Sequence, residues 1–259
     1  QAFIFNFIFI NTNQFNLFLL SKGLSSNYTI EMMSSEWYRN TLISTVLILA
    51  FLFGVRFLTK QQNKTISIFM GVVILLTSII SPLRTYISGH FSLAADLPFH
   101  LCGISALICA VIPFLKNKQP LFDFVFYTGI IGGFMGILTP QMSDYDGSFY
   151  VYFVFYIRHI FIFTMPIFML QNLNLRPRKQ SMLKTFLILN ILLAFIMPFN
   201  FYIGGNYMYL AQPPQVENPL VIGPWPYYII GFEVFVVLLL VLLYSLSKIS
   251  LKKRDQQAV

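Results

Sequence analysis

Residues 150–170, YVYFVFYIRHIFIFTMPIFML, form an apolar run that contains no acidic residue and only two basic ones, Arg158 and His159. At about 1.5 Å of rise per residue, a helix of this length crosses the roughly 30 Å hydrocarbon core of a bilayer. Arg158 and His159 would then lie near the middle of the membrane. Ionisable groups at that depth are costly unless they face a partner or a water-filled cavity. The stretch therefore predicts a membrane protein with a buried functional site.

The whole chain has the composition of a polytopic membrane protein. Of its 259 residues, 57% are apolar and only 10% are charged, which is far from the balance of a soluble domain. The apolar runs are continuous rather than alternating, so they favour helices over a transmembrane barrel. We predict an all-α bundle with about seven spans, at 40–58, 65–83, 96–115, 121–139, 150–171, 184–201 and 225–247.

The net charge of +8 reflects membrane topology rather than nucleic-acid binding. Basic residues concentrate on one side of the predicted bundle, after the first, third, fifth and last spans. They are Arg56, Lys60, Lys64, Lys116, Lys118, Arg176, Arg178, Lys179, Lys184, Lys248, Lys252, Lys253 and Arg254. The positive-inside rule makes that side cytoplasmic, so we predict an outside N-terminus and an inside C-terminus. We expect contact with membrane phospholipids and no nucleic-acid partner.

Three parts of the chain are expected to differ in character. Residues 1–34 begin with QAFIFNFIFINTNQFNLFLL (1–20), which is either an interfacial segment or translated sequence upstream of a true start at Met32 or Met33. Residues 35–250 are predicted to form a single membrane domain, and residues 251–259 a basic cytoplasmic tail.

Length, glycine and proline are concentrated in the predicted outer loops. The longest, residues 199–228, is typical of a lid or binding loop. Within it, Asn206 and Tyr207 are candidate positioning residues, and Trp225 is either a binding residue or an anchor at the headgroup level. The small residues of GIIGGFMG (129–136) predict close packing between the fourth span and a neighbouring helix.

The third span offers candidate chemistry near its outer end. Asp96 and His100 are four residues apart, so on a helix they would pair on one face, whereas Cys102 and Ser105 share another. His100 could equally be an interfacial histidine bonded to a loop carbonyl. Cys102 could equally be a small packing residue.

Neither a disulfide nor a metal site is expected. Cys102 and Cys109 are about 10 Å apart along one helix, too far to bond within it. The chain has no CxxC motif and no Cys/His cluster at metal-ligand spacing. No cofactor is predicted.

The fifth span and the last one place three ionisable groups at similar depth. Glu233 is the natural partner of Arg158, because leaving either charge alone in the membrane costs more than pairing them. Asn190 could add a hydrogen bond. The alternative is an ion pair that only fixes helix register. His159 is the better catalytic candidate, because an imidazole titrates near working pH.

The nucleophile that His159 would activate must come from another helix. The candidates are Cys102 or Ser105 on the third span and Thr139 at the outer end of the fourth. All three would project into the outer half of the bilayer.

The chain resembles the YwaF family of bacterial integral membrane proteins over roughly residues 35–250. The motifs that carry the resemblance are LPFHLC (97–102), LTP (138–140), RHI (158–160), GNYMYL (205–210) and GPWPYYII (223–230), followed by Glu233. The family is similar to a eukaryotic transmembrane acyltransferase that remodels ether phospholipids, and to membrane-embedded lipid hydrolases. The resemblance thus implies a helical fold in a bacterial cell membrane.

These relatives pair a nucleophilic cysteine or threonine with a histidine on another helix. The resemblance assigns the histidine to His159. The cysteine of the eukaryotic enzyme directly precedes the position of His100, where this chain has Phe99. Cys102 lies three residues further on, on nearly the same helix face, and would substitute for it.

Two functions from different classes follow. The first is transfer or hydrolysis of a lipid acyl group from the outer half of the bilayer, with His159 as base and Cys102 as nucleophile. Arg158 would hold a phosphate or pair with Glu233, while Asp96, His100 and Asn206 would position a headgroup or an oxyanion. The second is a non-catalytic carrier or sensor with a proton-coupled Arg/Glu/His site. A structural role in an envelope complex and the oligomeric state stay open.

Overall fold

The structure, a computed structural model, describes residues 26–216 and 218–257. Residues 1–25 of the N-terminal segment 1–34, for which an interfacial position or an upstream origin is expected, and the last two residues of the basic tail lie outside this part of the chain. Within it, the α-helices are α1 Ser35–Gly54, α2 Lys60–Ile87, α3 Leu101–Val111, α4 Gln119–Leu138, α5 Phe149–Asn172, α6 Ser181–Ile203 and α7 Tyr227–Gln257. Two strands, β1 Ser26–Thr29 and β2 Gln141–Tyr145, pair antiparallel. Short 3₁₀ turns cover Val55–Phe57, Ile112–Phe114 and Tyr207–Tyr209.

The predicted all-α membrane bundle is confirmed. Six of these helices are long and apolar enough to cross a bilayer, and α3 with its 3₁₀ extension to Phe114 is the shorter one. β1 precedes α1 and β2 joins α4 to α5, so their pairing marks one end of the bundle, here called the sheet end. The predicted clusters of basic residues lie at the opposite end, in the loops and in the helix turns next to them. Which end faces outward stays a prediction.

Side-chain caps determine where several helices begin. Ser34 and Ser148 each accept a hydrogen bond from the first turn of α1 and α5. Thr59 and Gln62 form a reciprocal capping box at the start of α2. α6 ends at Gly204, whose φ of 68° lies in the left-handed region that favours glycine.

α4 is the centre of the bundle and packs against α3, α5, α6 and α7. In its apolar window 72% of the residues are buried, compared with 11% in α6 and in α7. The glycines of GIIGGFMG permit close approach. A Cβ added at Gly129 would lie 2.7 Å from the carbonyl oxygen of Ile162, and one at Gly133 would lie 2.8 Å from that of His159. The predicted packing face therefore meets α5.

The third predicted span, 96–115, is wrong at its outer end, because α3 begins only at Leu101. Pro98 keeps the residue before it out of the helical region, so the chain enters α3 along an irregular path. Non-helical backbone at membrane depth needs partners within the protein. The buried Tyr207 supplies them: its hydroxyl donates to the carbonyl of Leu93 and accepts from the amide of Leu97, both at 2.8 Å.

A buried ion pair closes the sheet end. The guanidinium of Arg84, near the end of α2, donates to the Asp146 carboxylate at 2.7 Å, and both side chains are at most 5% exposed. Burial by itself raises the pKa of Asp146, but hydrogen bonds from Ser148 and the charge of Arg84 hold it below its ordinary value of 3.8. The pair fixes the β2–α5 connection to α2.

Candidate active site in the membrane domain

A cavity of about 290 Å³ lies between α3, α4, α5, α6 and α7, toward the sheet end. β2 and the α6–α7 loop contribute to it, and most of its walls are apolar. Its polar lining consists of His100, Cys102, Thr139, Gln141, Ser143, His159, Tyr209, Asn218 and Glu233. Pockets of this kind, apolar with a few convergent polar groups, are the usual form of a ligand or active site.

His159 lines the cavity, and a hydrogen bond within its own helix holds its ring in one orientation. Its Nδ1 lies 2.6 Å from the carbonyl oxygen of Phe155. Because a carbonyl only accepts, Nδ1 carries the proton and Nε2 has a free lone pair in the neutral ring. The side chain is 8% exposed, and no residue in the described part of the chain bonds Nε2. The neutral ring of His159 thus keeps an acceptor that is not engaged within the described residues.

The imidazole of His159 fits because α4 has a glycine opposite it. A Cβ at Gly136 would lie 2.0 Å from Cδ2 and 2.4 Å from Nε2 of His159, which is impossible without moving the ring. One turn away, Gly132 faces Cys102, with a virtual Cβ 3.7 Å from the Cβ of Cys102. One face of α4, formed by small residues, therefore packs against both His159 and Cys102.

Cys102 lies in the first turn of α3 and lines the cavity, whereas Cys109 is fully buried in the core. The partial positive charge of a helix N-terminus favours a negative charge on a group placed there. Cys102 therefore differs from Cys109, because it lies at a helix N-terminus and lines the cavity.

His100 lines the cavity, but the predicted Asp96–His100 pair is wrong. Asp96 precedes the helix, and its carboxylate accepts a hydrogen bond from the backbone of Ser92 at 2.7 Å. His100 is the N-cap residue of α3, and its Nδ1 accepts from the backbone N–H of Met208 at 3.3 Å. The four-residue spacing did not produce a pair because the helix begins after His100.

The predicted Arg158–Glu233 ion pair is also wrong. Glu233 lines the cavity and accepts a hydrogen bond from Asn190 at 3.2 Å, as expected for Asn190. Within the described part of the chain, Arg158 forms no ion pair or hydrogen bond, and it does not contribute to the cavity lining. The sequence predicted correctly that neither residue lies at a helix end, but a similar depth on two helices does not imply contact between the side chains.

The remaining candidate nucleophiles have different surroundings. Ser105 is completely buried and does not line the cavity, so it is not available to a substrate there. Thr139 does line the cavity, but its hydroxyl donates to the carbonyl of Met135 at 2.8 Å. Of the three candidates, Cys102 and Thr139 line the cavity, and the hydroxyl of Thr139 is bonded to the backbone of its own helix.

The candidate residues of the long loop shape it rather than line the cavity. Asn206 accepts hydrogen bonds from the backbone of Ala211 and Gln212, which closes a turn. Trp225 donates from Nε1 to the carbonyl of Leu210 at 2.9 Å. Together with Tyr207 these bonds give the loop a fixed path, in agreement with an ordered rather than a simply connecting segment.

Several lining residues were not predicted from the sequence. Gln141 and Ser143 belong to β2, which no sequence pattern had indicated, and Asn218 lies in the long loop. Tyr209 is two residues beyond Tyr207 in the motif GNYMYL, which was the available signal. Burial raises the pKa of Tyr209, so its phenol stays protonated and can donate a hydrogen bond.

These features define a class: a multi-pass α-helical membrane protein whose bundle encloses an apolar cavity containing two histidines and a cysteine. By sequence, the chain belongs to the TMEM164 family, which it matches over residues 29–244. An uncharacterized protein of Treponema pallidum (strain Nichols) is 30% identical over 161 residues, covering 62% of this chain. The chain spans 66% of that relative's length. No solved structure matches it.

Proposed function

We propose that the protein transfers or hydrolyses acyl chains of phospholipids at this cavity, in the cell membrane of a bacterium. The observation that carries the proposal is that His159, with its Nε2 unbonded, lines the same cavity as Cys102. Covalent acyl catalysis requires a nucleophile, such as a thiol, and a base that activates it, such as an imidazole. The resemblance to the YwaF family and to a eukaryotic ether-phospholipid acyltransferase supports the same chemistry.

In the first half-reaction, His159 Nε2 takes the proton from the Cys102 thiol, and the sulfur attacks the ester carbonyl carbon. When the tetrahedral intermediate collapses, the carbon–oxygen bond of the ester breaks. The leaving alkoxide takes the proton from His159 and departs as a lysophospholipid. The acyl chain is then a thioester of Cys102.

In the second half-reaction, a hydroxyl group attacks the thioester carbonyl while His159 Nε2 accepts its proton. The carbon–sulfur bond breaks, and the proton returns from His159 to the sulfur of Cys102. A lysophospholipid hydroxyl as acceptor gives acyl transfer, and water gives hydrolysis. The same residues serve both outcomes.

The cavity walls suit an acyl chain better than a polar substrate. Leucine, isoleucine and phenylalanine side chains of α6 and α7 line it, and in the apolar window of each of these helices only 11% of the residues are buried inside the protein. An apolar chain entering from the bilayer would exchange one apolar environment for another. Specific contacts would then come from the polar groups grouped near α3, α4 and α5.

The proposal is tested with purified protein in mixed micelles and a phospholipid that carries a labelled acyl chain. Assays with and without a lysophospholipid acceptor separate transfer from hydrolysis. Cys102→Ala and His159→Gln should abolish both products and the labelled acyl-enzyme. Cys109→Ala is the matched control, because Cys109 is on the same helix but buried in the core. Full turnover by either of the first two variants would overturn the mechanism.

A proton-coupled carrier is the second candidate, and one observation favours it. Glu233, bonded to Asn190, lines the same cavity as His159, so two titratable groups share one enclosed space. The carrier proposal expects uptake into proteoliposomes that follows a pH gradient, is lost in Glu233→Gln and persists in Cys102→Ala. The acyl-transfer proposal expects no such uptake.

A further inference from the structure

We propose that His100 is a second catalytic histidine, which donates a hydrogen bond from Nε2 to the oxyanion formed at the substrate carbonyl. The inference rests on the proposed acyl chemistry. It assigns to His100 a role opposite to that of His159: one ring accepts a proton, and the other stabilises the negative charge that the attack creates.

The hydrogen bonds of the two rings determine their tautomers. His100 Nδ1 lies 3.3 Å from the backbone nitrogen of Met208, which can only donate. Nδ1 is therefore the acceptor, and the neutral ring of His100 carries its proton on Nε2. His159 has the reverse arrangement, because its Nδ1 donates to the carbonyl of Phe155. The cavity thus contains one imidazole with a free acceptor and one with a free donor.

The backbone that fixes His100 is itself unusual. Met208 and Tyr209 both have a φ of 56°, in the left-handed region that non-glycine residues seldom occupy. Such conformations persist where the surrounding structure enforces them, and they concentrate at functional sites. Here they direct the Met208 amide at His100 and place Tyr209 on the cavity wall.

The ring of His100 is also held by packing. Its centroid lies 5.3 Å from those of Tyr207 and of Tyr209. Tyr207 is completely buried, and the side-chain amide of Asn200 accepts from its backbone N–H at 2.8 Å and donates to its carbonyl at 2.9 Å. A donor that is fixed before the reaction needs no reorganisation when charge develops, which is the condition for effective oxyanion stabilisation.

The position of His100 in the chain matches this role. It is the N-cap residue of α3, so the first amides of the helix and the Cys102 side chain follow directly. A carbonyl carbon attacked by Cys102 would have its oxygen near this helix end, whose partial positive charge adds to the His100 donor.

Two substitutions separate a catalytic donor from a structural bond. His100→Gln places an amide N–H at the reach of Nε2 but lacks the acceptor for Met208. His100→Asn keeps an acceptor at the position of Nδ1 but lacks a donor at the longer reach. If His100 is a catalytic donor, we expect kcat to fall about 10²–10³-fold in His100→Asn, with KM little changed. The kcat of His100→Gln should be closer to that of the wild type. His90→Gln, an exposed histidine outside the cavity, is the control.

The opposite order, with His100→Asn active and His100→Gln inactive, would show a purely structural role and overturn the inference. In thermal unfolding in detergent, His100→Asn should be more stable than His100→Gln, because only asparagine preserves the Met208 bond. Should the wild-type protein show no acyl chemistry at all, the proposed function itself would be overturned, and the role of His100 with it.

A measurement that does not depend on activity tests the tautomers directly. Nitrogen NMR of histidine-labelled protein distinguishes a protonated Nε2 from a protonated Nδ1, and the histidine variants assign the signals. We expect the proton on Nε2 in His100 and on Nδ1 in His159. A proton on Nδ1 of His100 would overturn the inference even if the acyl chemistry is found.

Discussion

Arg158 and His159 are adjacent in sequence but have different surroundings, because successive residues of an α-helix point about 100° apart. His159 lines the cavity, whereas Arg158 lies outside its lining. Depth in the membrane predicted a functional histidine at this level. It could not predict which neighbouring helix each side chain faces, and so the pairing of Arg158 with Glu233 was wrong.

The absence of a side chain at Gly136 leaves the space that the His159 ring occupies. We expect Gly136→Ala to displace the His159 ring, because the new Cβ would lie 2.0 Å from it, and to lower kcat about 10²-fold, the usual cost of a misplacement of about 1 Å. Gly54→Ala is the control, since a Cβ there meets nothing within 4 Å and its backbone is helical. Unchanged kcat in Gly136→Ala would contradict this packing.

At the scale of elements, α3 shows what sequence patterns miss. Hydropathy correctly found an apolar run at 96–115, but a hydropathy window does not distinguish helix from irregular backbone. Pro98 was the local signal for an interruption. The partner that makes the interruption stable, Tyr207, lies more than a hundred residues away, and no local pattern indicates that contact. The β1–β2 pairing was missed for the same reason.

Removing the Tyr207 hydroxyl should loosen the entry to α3. In Tyr207→Phe the amide of Leu97 and the carbonyl of Leu93 lose their partner, so we expect a loss of about 1–3 kcal/mol in unfolding free energy. Unfolding in detergent, followed by circular dichroism, measures it. Tyr202→Phe should have no effect, because Tyr202 is 88% exposed. Equal stability of the two variants would argue against the support that Tyr207 gives.

The connection between β2 and α5 should weaken in acid. The pKa of Asp146 is lowered in the folded protein, so its contribution to stability is complete above the ordinary value near 3.8 and is lost as the pH falls through the lower folded value. At neutral pH, Asp146→Asn should cost about 3–5 kcal/mol by leaving Arg84 buried without its carboxylate.

Unfolding of Asp146→Asn measured from pH 7 down to pH 3 should be less dependent on pH than that of the wild type. Glu31→Gln, at an exposed carboxylate, should follow the wild-type curve throughout. A steeper acid loss in Asp146→Asn than in the wild type would contradict the ion pair as the origin of the effect.

At the scale of the whole molecule, most apolar surface lies on the outer helices, as a bilayer requires. Phe195 on α6 is 72% exposed, Leu42 on α1 66% and Leu238 on α7 62%. Composition and run length predicted this bundle well, because the hydrophobic thickness of a membrane strongly constrains helix length. The arrangement of helices around α4 depends on packing, of which the glycines of GIIGGFMG gave only a partial indication.

The predicted orientation can be tested by cysteine labelling in intact cells. In a Cys102→Ala and Cys109→Ala background, His90→Cys should react with a membrane-impermeant maleimide, because it lies in the α2–α3 loop at the sheet end. Lys116→Cys, in the α3–α4 loop, should react only after permeabilisation. Both positions are exposed, so reactivity reports the side of the membrane. The reverse pattern would invert the predicted topology.

The β1–β2 pairing has a practical consequence for handling the protein. β2 carries Gln141 and Ser143, which line the cavity, and β1 holds that strand from a segment ahead of α1. A purification tag attached directly before Ser26 would therefore disturb a strand that is paired with part of the cavity lining. A tag after α7 would be separated from the sheet end by a helix about 46 Å long. For activity measurements, a tag should therefore be attached at the C-terminal end.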